Sequence, residues 1–164
     1  MVPCRIGLGE DLHRTTSGGP LRLGGIDIPC NRRLVGHSDA DVLLHAITDA
    51  LLGAAGCGDI GQLFPNTDEE NRGRDSGAML RIAAQLVASA GYHIVNLDCV
   101  VTTERPRLGP HREAIHARIA HLLGIDSSQV FVKGKTGEGI GPIGRGEAMG
   151  ARCVALLASR NQET

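Results

Sequence analysis

Three side chains that can bind a divalent metal ion fall in two short segments of the sequence. Asp11 and His13 are two residues apart in GEDLHR, which is predicted to be a strand, so both side chains leave the same face. His45 lies in the segment 37–49, HSDADVLLHAITD, whose apolar spacing predicts a helix. One carboxylate and two imidazoles form a natural ligand set for zinc, with a fourth position left for a substrate oxygen.

The same residues also fit ordinary structural roles. The pattern D-x-H arises by chance, and a histidine on an apolar helix is often hydrogen-bonded within the core. Asp41 and Asp49 lie four residues before and after His45. They would suit carboxylates that orient a ligating imidazole, but they would equally suit helix capping and solvation. Spacing alone leaves both interpretations open.

A glycine-rich segment near the C-terminus, GKTGEGIGPIGRGE (134–147), has the composition of a phosphate-binding loop. Glycine lets the backbone approach a ligand closely, while Lys133, Lys135 and Arg145 supply positive charge and Thr136 a hydroxyl. The spacing is neither that of a Walker loop nor that of a dinucleotide fingerprint. A glycine-rich hairpin without any ligand would have the same composition.

The elements that must position these residues alternate between strand and helix. Helix signals begin at Ser38, where Ser38 and Asp41 approximate a capping box, and end at Gly53 to Gly56. Further helices are predicted at 76–90 and at HREAIHARIAHLLG, and GDIGQLFPNTDEENRGRDSG is predicted to be a loop. Strands are predicted at CRIGLGEDLH, around LRLGGIDIP, and at IVNLDCVVTTE, QVFVKGKT and CVALLA. This order favours a mixed α/β (α+β) class, with one mixed sheet and helices packed on one face.

Composition predicts a single domain, 1–164, without a specialised surface. The hydrophobic share of 41% suffices for a core in a chain of 164 residues. The net charge of −1, the lack of a long basic run and an aromatic content of 2% argue against nucleic acid and membrane surfaces as partners. No apolar run reaches membrane-spanning length, and the five scattered cysteines are typical of buried residues in a reducing compartment. We therefore expect a cytoplasmic protein.

Three segments together identify a family resemblance. GEDLHR, GHSDADVLLHAITDALLGAAGCGDIGQLFPNTD and KTGEGIGPIGRGE follow one another here as they do in the 2-C-methyl-D-erythritol 2,4-cyclodiphosphate synthase family. The resemblance covers nearly the whole chain, and its central block is long and specific. It implies a phosphorus–oxygen lyase of the non-mevalonate isoprenoid pathway, which converts 4-diphosphocytidyl-2-C-methyl-D-erythritol 2-phosphate into the cyclic diphosphate and CMP. It also implies a homotrimer with each active site between neighbouring subunits.

The resemblance assigns the metal and the phosphate-bearing alcohol to the N-terminal half. Asp11, His13 and His45 would hold zinc or manganese, with Asp11 and His13 also facing the substrate. His37 would be catalytic and, with Ser38, would contact phosphate at a helix entrance, where the helix dipole favours anions. The loop that binds the methylerythritol hydroxyls would comprise Asp59, Ile60, Gly61, Phe64, Asn66, Thr67 and Asp68.

A neighbouring subunit would supply the nucleotide side. The residues that match the cytosine and ribose pocket are Thr103, Pro106, Arg107 and Gly109, and those that match the diphosphate segment are Lys135, Thr136, Gly137 and Glu138. Thr136 would steady the transition state, and Glu138 would bind a second ion, magnesium or manganese. Arg145 and Glu147 match residues that line a channel along the trimer axis, where Arg145 would bind an anionic isoprenoid phosphate, although a simple ion pair between them is an equal alternative.

The implied chemistry requires no nucleophilic side chain. One phosphate of the substrate attacks the terminal phosphorus of its own diphosphate, so the protein must bring two anions together and let CMP leave. This agrees with the lack of a Ser-His-Asp or Cys-His arrangement in the sequence. Two other functions remain open at this point: a metal-dependent phosphoesterase that uses water, and a catalytically silent nucleotide-binding trimer.

Overall fold

The computed structural model describes residues 4–160. The strands are β1 (Cys4–Ser17), β2 (Leu21–Leu23), β3 (Ile26–Ile28), β4 (Arg32–Val35), β5 (Tyr92–Thr102), β6 (Val130–Lys135) and β7 (Ala148–Ser159). The helices are α1 (Val42–Ala55), α2 (Ile60–Leu63), α3 (Ser76–Ser89), α4 (Arg112–Leu123) and α5 (Gly141–Gly144), of which α2 and α5 are single turns. None of the described helices has the length and apolar character needed to cross a bilayer.

Five strands form one mixed sheet in the order β4-β1-β7-β5-β6. The pair β5–β6 is parallel and the other neighbours are antiparallel, while β2 and β3 form a separate hairpin. Helices α1, α3 and α4 pack together, with α1 on β1 and β7 and α4 on β6. The opposite face of the sheet leaves Ile6, Leu8 and Leu12 more than half exposed. The predicted mixed sheet with helices on one face is confirmed.

Several predicted element boundaries need correction. Strand β1 continues past its predicted end at His13 to Ser17, and α1 begins at Val42 with Asp41 rather than Ser38 as its N-cap. The predicted loop 58–77 contains α2 and a 3₁₀ turn. The glycine-rich segment is no hairpin, because β6 pairs with β5 while β7 lies between β1 and β5.

The cysteines are less uniformly buried than predicted. Cys99 and Cys153 are buried opposite each other on β5 and β7, which agrees with the prediction. Cys4 is exposed, and Cys30 and Cys57 are half-buried, which the prediction missed. None of the five forms a disulfide.

Helix α1 lies directly on the backbone of β1. A Cβ atom at Gly9 would come within 2.0 Å of the Ala46 carbonyl oxygen, and one at Gly7 within 1.9 Å of the Ala50 carbonyl oxygen. Alternate residues of a strand share a face, so Asp11 and His13 continue the row that begins with these glycines. The close approach therefore brings the residue beside Ala46, which is His45, next to Asp11 and His13.

We predict that Gly9→Ala destabilises the protein by about 1–3 kcal/mol, because the added methyl must push α1 away from β1. Thermal and urea unfolding would measure this change. Gly53→Ala is the matched control, since a Cβ at that helical position would meet nothing within 4 Å beyond its own stretch of helix. There the substitution should stabilise by up to about 1 kcal/mol. Equal unfolding midpoints for Gly9→Ala and the parent would contradict the close packing.

Candidate active site

Asp11, His13 and His45 converge on one point between β1 and α1. The Nδ1 atom of His45 lies 2.8 Å from Asp11 Oδ2 and 3.1 Å from His13 Nε2, and the last two atoms are 3.2 Å apart. Only 8% of His45 is exposed. The structure thus assembles the three residues that the sequence predicted as ligands.

The donor set fits a divalent cation. A neutral imidazole presents a lone pair, and an ionised carboxylate only accepts hydrogen bonds. Three such atoms facing one another need a proton or a cation between them. In a tetrahedral zinc site with bonds of about 2.0–2.1 Å the ligand atoms lie roughly 3.3 Å apart. The observed separations are slightly shorter, so a small outward shift would accommodate the ion.

The protonation states of these side chains also favour a metal. Burial alone would raise the pKa of Asp11, but the hydrogen bond with His45 and the charge of His13 outweigh burial and lower it. Burial lowers the pKa of His13, and the nearby Asp11 carboxylate offsets this only in part. Both shifts favour the forms that bind metals near neutral pH, an ionised carboxylate and a neutral imidazole.

The two aspartates that flank His45 on α1 do not contact its imidazole. Asp41 is fully buried and accepts hydrogen bonds from the backbone N–H groups of Leu44, Gly24 and Gly25, at 3.1, 2.9 and 2.7 Å. It therefore caps α1 and ties the β2–β3 turn to the helix, which confirms the capping interpretation. Asp49 accepts from the Ile60 N–H at 2.7 Å and so fixes the start of α2. Of the two open interpretations, the structure supports capping and not orientation of the imidazole.

A cavity of about 190 Å³ adjoins the cluster. It is lined by Asp11, His13, His37, Ser38, His45, Asp49, Ile60, Gly61, Phe64, Asn66, Asn71 and Met79. Most of the residues predicted to bind the alcohol half of the substrate therefore meet in one place. Asp59, Thr67 and Asp68 do not line it, since Asp59 caps α2 and Asp68 accepts from the Glu70 N–H.

His37 and Ser38 reach this cavity from a loop and not from a helix N-terminus. The helix begins four residues after Ser38, and its capping position is already filled by Asp41. Ser38 Oγ accepts from the Ala40 N–H and lies 3.0 Å from His45 Nε2. The predicted attraction of an anion to the helix entrance is therefore not supported, and only the side chains and loop backbone remain as phosphate contacts.

The segment that covers the cavity is held by polar contacts within itself. Asn71 is buried, donates to the Pro65 carbonyl at 3.0 Å and accepts from Arg74 at 2.8 Å. The Arg74 guanidinium stacks over the Phe64 ring at 5.0 Å. Phe64 and Asn66 are thus presented by a structured loop.

Three of the residues predicted for the nucleotide side, Pro106, Arg107 and Thr136, line a second cavity of about 650 Å³, whereas Thr103, Gly109, Lys135, Gly137 and Glu138 do not line it. It is lined by Cys30, Asn31, Arg32, Glu104, Arg105, Pro106, Arg107 and Thr136. Thr103 is buried beneath this segment, where its hydroxyl donates to the Arg105 carbonyl and its N–H donates to the Lys135 carbonyl. Gly109 begins a 3₁₀ turn that leads into α4. The two cavities share no lining residue.

The glycine-rich segment forms a tight turn after β6. The Thr136 hydroxyl donates to Glu138, whose backbone is left-handed with φ of +52°. A Cβ atom at Gly137 would come within 2.6 Å of the Gly144 nitrogen, so the close contact between the loop and α5 requires glycine. The loop therefore holds the Glu138 carboxylate beside the Thr136 hydroxyl.

The three cations predicted around this loop differ in their surroundings. Lys133 pairs with Asp98 at 2.7 Å, and Arg145 forms a bidentate pair with Glu147 at 2.9 Å. The ion pair named as the alternative for Arg145 is thus present, between two exposed side chains. Among residues 4–160, Lys135 has no carboxylate within salt-bridge distance, which leaves it as the cation with no local counter-charge.

Sequence reasoning missed four polar or flexible residues at the first cavity. Asn71 and Met79 line it, and Ser76 and Asp39 form hydrogen bonds behind His45. Ser76 and Asp39 carry only weak local signals, namely a serine at a helix start and an aspartate in a polar loop. Their contacts with the site depend on the packing of α3 against α1, which no local pattern encodes.

Comparison with known proteins gives consistent results over the whole chain. The YgbB family model matches residues 4–158. A 2-C-methyl-D-erythritol 2,4-cyclodiphosphate synthase of Chromobacterium violaceum is 56% identical over 154 residues, which are 94% of this chain and 98% of the relative. The synthase of Gemmatimonas aurantiaca is 52% identical over 160 residues, 98% and 96% of the two chains.

Solved structures are similar in the same way. The complex of Plasmodium falciparum IspF with CDP superposes with a TM-score of 0.85 at 38% identity, covering 96% of this chain and 97% of that one. The bifunctional IspDF of Campylobacter jejuni gives a TM-score of 0.93 at 38% identity, covering 97% of this chain but 43% of that longer chain.

We predict that the purified protein binds one zinc ion per chain and that His45→Ala abolishes this binding while the fold persists. The substitution removes one of the three ligands, the imidazole that α1 contributes, and leaves only Asp11 and His13 to bind the ion. Metal analysis after dialysis measures the stoichiometry. His121→Ala is the control, because His121 lies exposed in the last turn of α4. Full zinc content in His45→Ala would contradict the assignment.

Proposed function

Because the chain belongs to the YgbB family, we propose that it catalyses the reaction of the 2-C-methyl-D-erythritol 2,4-cyclodiphosphate synthases. The observation that carries the proposal is identity of 52–56% to synthases over nearly the full length of both chains. The substrate would be 4-diphosphocytidyl-2-C-methyl-D-erythritol 2-phosphate, and the products the cyclic diphosphate and CMP. In class it would be a phosphorus–oxygen lyase.

The reaction is governed by charge. The attacking phosphate is already ionised at neutral pH, so no side chain has to remove a proton from it. Divalent ions held by Asp11, His13 and His45, and by Glu138, would supply positive charge and Lewis acidity beside the phosphate oxygens. The protein's own groups must hold the two phosphates in line and exclude alternative geometries.

The first cavity would bind the methylerythritol phosphate. His37 and Ser38 lie at its wall and can donate hydrogen bonds to phosphate oxygens. Ile60 and Gly61 present the backbone of α2, and Phe64 and Asn66 come from the covering loop. Thr67 and Asp68 do not line this cavity, so a role for them would need a movement of the loop or a longer ligand.

The second cavity would bind the cytidine diphosphate. Pro106 and Arg107 line it, and buried Thr103 shapes the backbone beneath. Thr136 opens onto the same cavity, and its hydroxyl can turn from Glu138 toward a phosphate oxygen when Glu138 binds a cation. Lys135 adds a cation without a local partner.

We infer a homotrimer in which two chains complete each site. Two observations support it. The cavities for the two halves of the substrate share no lining residue, and the sheet face opposite the helices exposes a row of apolar side chains. These are Ile6, Leu8, Leu12, Phe131 and Val154, each at least 43% exposed. Burying such a face between subunits would stabilise the assembly.

Phosphorus NMR of the protein with the cytidyl substrate and magnesium tests the function directly. We expect the resonances of a cyclic diphosphate and CMP to appear together. Asp11→Asn is a nearly isosteric control that removes one ligand charge and should slow the reaction by at least about 100-fold. Linear hydrolysis products would instead indicate a phosphoesterase, and unchanged substrate with bound CMP a silent binding protein.

Mixing two inactive variants tests the shared site. His45→Ala disables the metal half of a site and Glu138→Ala the nucleotide half. Each mixed ring of three then keeps one intact interface, so refolding an equal mixture should restore about a quarter of the parental activity. Each variant alone serves as the control. Mixed trimers that form, as shown by mass, but stay inactive would contradict the shared-site arrangement.

A further inference from the structure

The outer nitrogen of His45 is held by residues outside the proposed ligand set. Its Nε2 atom lies 2.8 Å from the hydroxyl of Ser76. Ser76 is the first residue of α3 and is completely buried. The same hydroxyl donates to Asp39, and the Ser76 N–H donates to the other oxygen of Asp39 at 3.1 Å.

The direction of these hydrogen bonds follows from the number of protons. An ionised carboxylate can only accept, so the single hydroxyl proton of Ser76 points to Asp39. The Ser76 oxygen then has only a lone pair to offer Nε2, so a hydrogen bond between them requires a proton on Nε2. The Ser38 hydroxyl, 3.0 Å from the same nitrogen, has a free lone pair that can share this proton. When a metal ion replaces the proton shared by Nδ1 and Asp11, a neutral His45 with its proton on Nε2 presents the Nδ1 lone pair to that ion, beside Asp11 and His13.

We propose that Asp39 and Ser76 are positioning residues that set the tautomer and ring orientation of His45 for metal binding. This inference rests on the proposed metal site. Metal-binding histidines commonly donate their second ring N–H to a carboxylate, which raises the basicity of the ligating nitrogen. Here a buried hydroxyl stands between the imidazole and the carboxylate.

The local structure of α3 argues against a mere capping role for Ser76. The N-cap of α3 is Asp75, whose carboxylate accepts from the Gly77 N–H at 2.9 Å. The Ser76 hydroxyl is thus not needed to satisfy the helix terminus. The two hydrogen bonds of this hydroxyl instead connect Asp39 to His45.

Asp39 is itself fixed by its surroundings. Its N–H donates to the Arg74 carbonyl at 3.1 Å, and the Arg22 guanidinium lies 3.7 Å from its carboxylate. Arg22 also lies 3.2 Å from Asp27 and 3.9 Å from Asp75. The β2–β3 hairpin and the start of α3 therefore meet at the carboxylate that supports the site.

The experiment measures zinc affinity by competition with a chromophoric chelator in the full-length protein. We expect Ser76→Ala and Asp39→Asn each to weaken zinc binding by 10- to 100-fold. Because both residues act through one chain of hydrogen bonds, their effects should not add. The double variant should bind zinc no more than about threefold more weakly than the weaker-binding of the two single variants. Asp75→Asn is the matched control, since asparagine caps helices as well as aspartate does. Its affinity should stay within about twofold of the parent.

A second readout separates positioning from general loosening of the fold. In cobalt-substituted protein, the visible bands should shift in Ser76→Ala and Asp39→Asn but not in Asp75→Asn. Unchanged affinity and bands in both variants would overturn the inference and leave the proposed function intact. Losses that multiply in the double variant would also overturn it, because two independent structural effects add in free energy. A parent that binds no zinc would remove the metal proposal and this inference together.

Discussion

The contact between the backbones of β1 and α1 is the constraint on which the rest of the site depends. With glycine at positions 7 and 9, no side chain separates the strand from the helix. His45 can then approach within 3.1 Å of two ligand atoms on the same strand. Any side chain at those glycines would have to lift the helix and with it the imidazole. Because the glycines and the two ligands lie on the same face of β1, the packing of α1 on this strand also sets the geometry of the metal site.

The polar residues around this contact have two different roles, one in binding the backbone and one in binding a metal. The Asp41 carboxylate accepts hydrogen bonds from three backbone N–H groups and thereby fixes the start of α1. Asp11 and His13 instead direct atoms that can bind a metal toward Nδ1 of His45. The hydrogen-bonded burial of Asp41 stabilises the fold. The facing acceptor atoms of the metal cluster, by contrast, repel one another unless a cation or a proton lies between them. The nucleotide residues, by contrast, lie in a separate and more open cavity, in agreement with a site completed by a second chain.

The local patterns predicted the elements better than the contacts between them. Period-two spacing correctly put Asp11 and His13 on one face, and the apolar period correctly put His45 on a helix. The family resemblance, rather than spacing, joined these residues into a ligand set. The role of Asp41 was ambiguous because capping and ligand support use the same carboxylate at the same spacing. The contact of Ser76 with the site could not be predicted from its weak local signal, since its partner on α1 is 31 residues away in sequence. The length of β7 was also underestimated, because its first residues, AMGA, have no strand-like alternation.

Anomalous diffraction at the zinc absorption edge, from crystals grown with zinc, tests most directly the claim that β1 and α1 together build a metal site. The account predicts one strong peak per chain, bonded to Nδ1 of His45, Nε2 of His13 and a carboxylate oxygen of Asp11, at about 2.0–2.2 Å. The Nε2 atom of His45 should stay turned toward Ser76. A peak bound through Nε2 of His45, or no peak at these three residues, would contradict the account.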